Sequence, residues 1–468
     1  MLTGCLLSVS STVCAWDFWP LPMAEPDTLQ DELDYGFEAA AVASSGKAAP
    51  FFFHANQGGH ISSAPFSGSI AAWIGKEATR PNRWFDYDFR IDLAGRFDKD
   101  KQTGYFRQLY AHVRLYVFDI TAGIRPQLAG SQNNQLTSGG LLFSGNAQPL
   151  PRISIGIDRY TAFPGLYGYV EVKGGLEHGW FADDAVLDTT YATTGVLLHH
   201  KFWGLRLGGK LPVNIAYEIH HVAQWGGKSP VYGQFTADWE TYKNIFFVRS
   251  GGNHSSDLLN AQGNHIGFQE LSLQVNQPLW QMTLYWQSLF EDKSAAFIGT
   301  GTNSTDGLWG IHVSQQRWPY ISGLTYECLN TTNQSGPYHD KDGIVYAGRD
   351  TYFYNASYKQ GWTHFGRTIG NPIMSPENSR VRMHYVGLMG DIYGFHYRLM
   401  GSYTRNWGKY QAPVYSENTA LMLEVRKQVE QAWGLEFGLS LGANIGTQYG
   451  NCFGAMLTIS KRGLLVRY

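Results

Sequence analysis

Apolar and polar residues alternate with a period of two along almost the whole chain. Between Phe85 and Leu93 the odd positions carry Phe, Tyr, Phe, Ile and Leu, whereas the even positions carry Asp, Asp, Arg and Asp. Successive side chains of a β-strand point to opposite faces of a sheet, so the pattern predicts strands with one apolar and one ionic face. The same alternation recurs at residues 108–117, 152–158, 170–173, 395–399 and 435–442. The chain is therefore expected to be all-β.

The residues on the polar face favour a membrane barrel over a soluble sandwich. They are rich in Tyr, His, Arg, Asp and Gly, which can pair with one another in a confined, wet interior. A transmembrane β-barrel turns its apolar face to lipid and its polar face to the lumen, and closure leaves no unpaired strand edge. We therefore expect a transmembrane antiparallel β-barrel, with Asp86 and Asp88 in the lumen near Arg114 and His112.

Composition excludes several other classes of protein. No uninterrupted apolar stretch approaches the ~18 residues that a membrane-spanning helix needs. With 43% hydrophobic and 15% aromatic residues, the chain can bury enough surface to fold rather than remain disordered. A net charge of −2 provides no basic surface for nucleic acid. At ~9–11 residues per spanning strand, the chain can supply roughly 16 to 20 strands.

The N-terminal residues predict export. Residues 1–15 are apolar and small, and they end in Val13-Cys14-Ala15, which satisfies the small-residue pattern of a signal-peptidase site. Residues 16–32 are then expected to form a short periplasmic extension, and residues 33–468 the outer-membrane barrel. The segment that ends at Cys5 also resembles a lipoprotein cleavage box, which leaves lipidation as an alternative.

Two segments near the C terminus are interpreted as strands. In Asn418–Ala432 alternating apolar residues favour a strand, although residues 421, 425 and 429 also have helical spacing. The chain ends Leu-Leu-Val-Arg-Tyr, with Leu464, Val466 and Tyr468 on one face. This ending is typical of the closing strand of an outer-membrane barrel.

Constellations that would indicate catalysis or metal binding are weak. Neighbours on a strand point to opposite faces, so Asp183–Asp184, His199–His200 and His220–His221 make poor acid–base or ligand pairs. After cleavage at Ala15 only Cys328 and Cys452 would remain, too few for a disulfide scaffold or a zinc site. We therefore expect no enzyme activity, no metal and no cofactor.

Three segments carry more specific motifs. They are Ala49–Phe53 with Asn56–Gly59, then Gly145–Arg152 running into an alternating strand, and Asn355–Pro372. These segments resemble the capsule assembly protein Wzi family, over most of the chain from about residue 33 to the end. The resemblance implies an outer-membrane barrel of about 18 strands that acts as a lectin-like anchor for capsular polysaccharide. Some members of the family carry a periplasmic helical segment. Residues 16–32 are too short and Pro-rich to form a substantial one.

Within these motifs lie residues with suitable chemistry for a glycan. Aromatic rings stack on the CH faces of sugars, amides satisfy hydroxyls, and Arg binds anionic groups. The candidate carbohydrate-binding residues are Asn146, Arg152, Tyr358, Trp362, Arg367 and Asn371. Two alternatives stay open: these residues pack a lumen plug or a strand turn, and loop residues such as Tyr338 and His339 contact the glycan instead.

The leading hypothesis is a monomeric outer-membrane β-barrel, its lumen occluded by side chains and inward-folded loops. It would associate non-covalently with capsular polysaccharide and catalyse no reaction. Its expected partners are the polysaccharide and outer-membrane lipid, with the capsule export machinery as a further candidate. The alternatives are a porin or sugar-specific channel, which the same alternation would favour, and a secreted carbohydrate-active enzyme.

Overall fold

The computed structural model describes most of the chain. The described residues are 31–78, 84–99, 101–253, 257–258, 261–291, 306–334, 339–341, 344–347 and 351–467. The expected signal peptide at 1–15, residues 16–30 of the expected extension, Tyr338 and Tyr468 lie outside this set.

Eighteen antiparallel strands form one closed sheet. In chain order the strands are β1 Glu32–Ser44, β2 Phe66–Lys76, β3 Phe85–Asp98, β4 Gln102–Leu115, β5 Phe118–Ile124, β6 Pro151–Ala162, β7 Val170–Trp180, β8 Leu197–Leu207, β9 Val213–Trp225, β10 Asn264–Gln277, β11 Trp280–Phe290, β12 Gly307–Gln315, β13 Gly323–Asn330, β14 Val381–Ile392, β15 Phe395–Lys409, β16 Ala412–Val429, β17 Leu435–Gly446 and β18 Cys452–Arg467. Each strand pairs with its neighbours in the chain, and β18 pairs with β1 from Arg467–Glu32 to Gly454–Ser44. The expected antiparallel barrel of about 18 strands is confirmed.

The two faces of the strands follow the sequence alternation. On β3, Asp86 and Asp88 are buried opposite Arg114 and His112 of β4, and a hydrogen bond joins Asp88 to His112. Apolar side chains from the opposite face are exposed on the outside of the barrel. They include Phe85, Ile91, Leu93, Ile153, Ile155, Leu399, Leu421, Phe437, Leu439 and Leu457. An apolar exterior around an ionic interior is the arrangement that a lipid bilayer requires, so the barrel is an outer-membrane barrel.

Ion pairs occupy the half of the lumen nearer the chain termini. Arg114 Nε lies 2.8 Å from Asp119 Oδ1, and Lys173 Nζ lies 2.6 Å from Glu218 Oε1. Further pairs join Arg206 to Glu171 and Arg398 to Glu424. Because a buried charge is costly unless it is paired, these contacts offset the cost of burying the ionic face of the wall.

The two ends of the barrel differ in the length of their connections. At the end that carries the chain termini, which we call the terminal end, connections such as 116–117, 278–279 and 393–394 are short turns. At the opposite, loop end the connections include 45–65, 125–150, 181–196, 226–263 and 331–380. Outer-membrane barrels have short periplasmic turns and longer extracellular loops, so the loop end faces the exterior of the cell.

Helical structure is sparse in the described residues. Helix α1 spans Phe51–His54 in the β1–β2 loop, and helix α2 spans Trp239–Phe247 in the β9–β10 loop. Within the described residues, no helix is both long and apolar enough to cross a membrane. The segment 418–432, which also had helical spacing, is a strand as expected as far as Val429, and a turn begins at Glu430.

Candidate functional site

Three loops from the loop end fold into the lumen and form a plug, which consists of the β1–β2 loop with α1, the β5–β6 loop, and the described part of the β13–β14 loop. The plug has an apolar core of its own. Its central side chains are Phe53, Leu141, Leu142, Phe143, Tyr352, Phe353 and Trp362, each at most 2% exposed. The expected occlusion of the lumen is thus confirmed. In the half of the lumen nearer the loop end, the occlusion results from hydrophobic packing of the loops rather than from ionic pairing alone.

Polar side chains of the far barrel wall hold the β5–β6 loop across the lumen. The carboxylate of Glu327 on β13 accepts hydrogen bonds from Thr137 Oγ1 at 2.6 Å and from the backbone N–H of Ser138 at 2.7 Å. On β10, Glu270 accepts a bond from the backbone N–H of Ser131 at 3.0 Å. Buried carboxylates need such donors. Each contact therefore holds the loop in place and also supplies a hydrogen-bond partner to a buried carboxylate of the wall.

Two of the expected glycan residues bind loop backbone inside the plug. Asn146 Nδ2 donates to the carbonyl of Thr368 at 2.9 Å. Trp362 Nε1 donates to the carbonyl of Leu142 at 2.8 Å, and its ring packs edge-on against Phe143. Both bonds join the β5–β6 loop to the β13–β14 loop.

Two more residues of the set make similar bonds. Asn371 Nδ2 donates to the carbonyl of Gly139 at 2.6 Å, again joining the β13–β14 loop to the β5–β6 loop. The hydroxyl of Tyr358 donates to the carbonyl of Gly226 at 3.2 Å, where the β9–β10 loop begins. Both side chains are buried, and burial raises the pKa of the Tyr358 phenol.

The two arginines of the set also bind backbone carbonyls. Arg367 donates to the carbonyls of His54 and Ile61, both at 2.8 Å, and so ties the β13–β14 loop to the β1–β2 loop. Burial lowers the pKa of Arg367 to about 10, which leaves the guanidinium charged at neutral pH. Arg152 lies on the barrel wall and donates to the carbonyl of Arg125 at 2.8 Å.

The structure therefore brings five of the six residues together in the plug and places Arg152 on the wall beside it. All but Arg367 are buried. Their polar groups bond inside the protein, as in the alternative that assigned them to a lumen plug. Direct contact between these six residues and a glycan stays a prediction.

His364 is a further polar residue of the plug. Its Nδ1 donates to the carbonyl of Gln148 at 2.8 Å, and its Nε2 accepts from the backbone N–H of Ala182 at 3.3 Å. Burial lowers the pKa of His364 to about 4, so the ring is neutral at pH 7. A neutral ring with one donor and one acceptor satisfies both neighbours.

The plug and the barrel wall line a partly open cavity of about 80 Å³. Its polar lining includes Glu38, Arg107, Gln108, Gln148 and Arg152. A cavity of this size and polarity suits water or a small polar group.

The adjacent histidines of β8 lie on opposite faces, as the strand geometry predicts. The ring of His200 faces the lumen, where its Nδ1 lies 2.9 Å from Glu177 and its Nε2 lies 3.1 Å from His220. The ring of His199 faces outward and contacts Tyr242 of α2. Among the described residues, no group of three His, Cys, Asp or Glu side chains is placed to hold a metal ion.

The two adjacent aspartates lie in the β7–β8 loop rather than on a strand. Asp183 is buried, and burial raises its pKa to about 6. Asp184 instead accepts a hydrogen bond from the backbone N–H of Gly195 at 3.1 Å. The pair was expected on a strand because the sequence shows no turn residue between β7 and these two positions.

Exposed tyrosines mark the outer surface of the loops. Tyr191, Tyr232 and Tyr354 lie in three different loops and are 47%, 40% and 36% exposed. We call these residues the tyrosine surface. Sequence analysis missed all three because an isolated tyrosine in an aperiodic loop carries no signal of its exposure.

Hydrogen bonds join the loops that carry the tyrosine surface. Thr193 Oγ1 donates to the carbonyl of Ser357 at 2.6 Å, and Gln360 Nε2 donates to the carbonyl of Thr193 at 2.9 Å. The backbone N–H of Thr194 donates to the carbonyl of Lys228 at 3.1 Å. The β7–β8, β9–β10 and β13–β14 loops therefore form one connected outer surface above the plug.

Comparison with known proteins places this barrel among relatives. The model of the family "Capsule assembly protein Wzi" matches residues 31–444. The structure of Escherichia coli Wzi, described as an outer-membrane protein involved in group 1 capsule assembly and a carbohydrate-binding β-barrel, aligns with a TM-score of 0.58 and 13% identity, over 91% of this chain and 84% of that chain. This likeness shows the fold.

Two further structures align less closely. Pseudomonas aeruginosa OccK5 (OpdH) gives a TM-score of 0.47 at 10% identity, over 93% of this chain and 99% of that chain. Acinetobacter baumannii OccAB2 gives a TM-score of 0.48 at 7% identity, over 93% of this chain and 98% of that chain. A comparison with curated proteins finds no match.

Proposed function

Because the chain belongs to the capsule assembly protein Wzi family, we propose that it holds capsular polysaccharide non-covalently on the outer face of the outer membrane and catalyses no reaction. The observation that carries this proposal is that the barrel has both a plugged lumen and a connected surface of outer loops. The carbohydrate binding ascribed to Escherichia coli Wzi supports it.

The plug supports an anchoring role over conduction of solutes. A channel needs a continuous aqueous path, whereas here an apolar core of loop residues fills the half of the lumen nearer the exterior. Opening it would expose large buried side chains such as Trp362 and Phe353 to water. We therefore propose that the polysaccharide stays on the outer loops and does not pass through the barrel.

The tyrosine surface has suitable chemistry for the glycan. Phenol rings stack on the apolar faces of sugars, and the three tyrosines present such rings on one connected set of loops. Lys228 and Lys359 lie in the same loops and can attract anionic sugar units. We propose that the plug residues fix the positions of these loops from within.

Binding of purified capsular polysaccharide to the full-length protein in detergent tests this proposal. The substitutions Tyr191→Ala, Tyr232→Ala and Tyr354→Ala remove the three exposed rings together. If each ring contributes about 0.5–1.5 kcal/mol of stacking, affinity should fall at least about tenfold.

A matched control changes three exposed tyrosines at the terminal end. Tyr116, Tyr167 and Tyr393 are 73%, 83% and 86% exposed there, and their replacement by Ala should leave glycan affinity unchanged. Equal affinity of the two triple variants would contradict the proposed surface. Binding lost only in Asn371→Ala or Arg152→Ala would instead favour direct contact with the residues predicted from sequence.

A further inference from the structure

Helix α2 lies on the outside of the barrel wall, near the loop end. Tyr242 of the helix contacts Trp225 of β9 and His199 of β8, with ring centroids 5.7 Å and 5.5 Å apart. Trp225 and Ala223 lie on the outward face of β9, like the exposed residues nearer the terminal end of that strand. Trp225 and Ala223 are nevertheless only 4% and 0% exposed. The helix therefore occupies a position that lipid would otherwise occupy.

The wall beneath α2 carries polar side chains on its outward face. His265 Nδ1 lies 3.0 Å from His221 Nε2, and the ring of His199 is fully buried beside them. Lys201 donates a hydrogen bond to the carbonyl of Phe246, at the C-terminal end of the helix. Polar groups of this kind are costly in hydrocarbon, so the helix shields them.

The depth of α2 follows from the residues around it. Closer to the terminal end, Trp203, Leu207 and Ile215 of the same two strands are exposed and apolar, as in a lipid-facing belt. The helix begins where this belt gives way to polar wall residues. That boundary is the level of the lipid headgroups of the outer leaflet, because the loop end faces the exterior.

Side-chain hydrogen bonds fix α2 in this position. Asp238 caps the helix by accepting a bond from the backbone N–H of Thr241 at 2.8 Å. Gln262, just before β10, accepts from Asn244 Nδ2 at 3.2 Å and donates to Thr236 Oγ1 at 2.9 Å. The helix is thus an ordered part of the exterior rather than a loose loop.

The outer face of α2 combines aromatic and basic side chains. Trp239, Lys243 and Phe247 are four residues apart and share one face of the helix, with Trp239 71% and Phe247 55% exposed. The guanidinium of Arg249 lies 5.0 Å from the centroid of the Phe247 ring. Lys243 pairs with the exposed Glu240, and such a surface pair is weak enough for Lys243 to exchange partners.

We propose that this face of α2 binds the phosphate-bearing headgroup of an outer-leaflet glycolipid. Lys243 and Arg249 would bind the phosphate, while Trp239 and Phe247 lie at the boundary between sugar and acyl chains. The site is continuous with the apolar belt below it and complementary in charge to the headgroup. It lies on the wall of the barrel, apart from the tyrosine surface, and does not depend on the proposed glycan function.

Lipid binding to the full-length protein in a non-ionic detergent tests the proposal, with native mass spectrometry as the readout. The probes are lipid A, dephosphorylated lipid A and phosphatidylglycerol. Wild-type protein should bind lipid A at least about tenfold more tightly than either of the other two. The double variant Lys243→Glu/Arg249→Glu should lose the preference for lipid A over its dephosphorylated form, because it removes both cations and repels phosphate.

The control variant Lys47→Glu/Lys99→Glu makes the same charge change at two exposed residues of the loop end, away from α2. It should retain the preference for lipid A, and both variants should keep the heat-modifiable mobility of a folded barrel. Equal wild-type binding of lipid A and its dephosphorylated form would overturn the phosphate site. Equal binding of phosphatidylglycerol would overturn the glycolipid assignment, and an unchanged double variant would overturn the role of α2.

Discussion

Consecutive residues of one strand have opposite environments in this barrel. Asp88 is buried in the lumen and hydrogen-bonded to His112, whereas Phe89 lies on the lipid side of β3. The sequence predicts both positions because a period of two leaves only one way to orient the strand once its apolar face meets lipid.

A substitution on each face tests this orientation. Phe89→Arg should greatly reduce the yield of folded barrel, because an arginine facing lipid near mid-membrane costs about 2–4 kcal/mol. Asp88→Asn keeps the shape of the side chain and a hydrogen bond, so most of the protein should still fold. The measurement is the heat-modifiable fraction on electrophoresis, and equal losses for the two variants would contradict the assignment of faces.

The docking of the plug should depend on pH through His364. Its pKa is about 4 in the folded protein, against an ordinary value near 6.5. Acid therefore protonates the undocked loop more readily than the docked loop, so docking is strongest above about pH 6.5 and weakens as the pH falls towards 4. Hydrogen exchange of residues 351–370 should be faster at pH 5 than at pH 7.5, after correction for intrinsic rates.

Two variants separate His364 from other titrating groups. His364→Gln should show a smaller difference between the two pH values, because glutamine does not titrate. His396→Gln, at an exposed histidine of the terminal end, should keep the full difference. Equal protection of the wild-type loop at both pH values would contradict the inferred role of His364.

The candidate glycan residues show what sequence reasoning achieves for individual side chains. It selected Trp362 and Asn371 for chemistry that suits a sugar, and the structure uses the same donors to bind carbonyls of another loop. Their burial could not be predicted, because residues in aperiodic loops carry no pattern that reports depth. Depth here arises from contacts between loops about 220 residues apart in the chain, such as the bond from Trp362 to Leu142.

Among the elements, the plug loops decide whether the barrel conducts. Trp362 lies at the centre of the plug, fully buried between Phe143 and Phe181. Trp362→Ala should destabilise the plug by roughly 3–5 kcal/mol, since a large buried aromatic leaves a cavity. We expect openings of the variant in planar bilayers that are rare in the wild-type protein.

Trp203→Ala is the matched control for this prediction. Trp203 is 46% exposed on the lipid side of β8, so its removal should leave the current unchanged. A steady current through the wild-type protein would favour the porin alternative. A silent Trp362→Ala barrel that is correctly folded would show that other contacts suffice to hold the plug.

The strands were easier to predict than the helices. For β16 the alternation favoured a strand despite apolar residues at helical spacing, and the structure agrees. Helix α2 was missed because nine residues give too short a periodic signal, although Asp238 followed by Glu240 forms a recognisable helix start. Its position outside the barrel depends on histidines from three strands, which no local pattern reveals.

At the scale of the whole molecule, one closed sheet encloses a lumen with two different fillings. Ion pairs occupy the half nearer the chain termini, whereas an apolar plug occupies the half nearer the exterior, where the wall also carries the Arg152–Glu177 pair. The alternation predicted the ionic lining and roughly 16 to 20 strands. Inward-folded loops were part of the leading hypothesis, but the sequence did not indicate which loops form the plug, because these loops have no periodicity from which an inward fold could be inferred.

Retention of capsular polysaccharide on cells tests the central claim most directly. After deletion of the gene, cell-bound and released polysaccharide would be measured separately, with complementation by the wild-type chain or the Tyr191/Tyr232/Tyr354→Ala variant. We predict a shift from the bound to the released fraction at unchanged total, reversed by the wild-type chain and not by the variant. An unchanged bound fraction after deletion, or an equal fall of both fractions, would contradict the anchoring role.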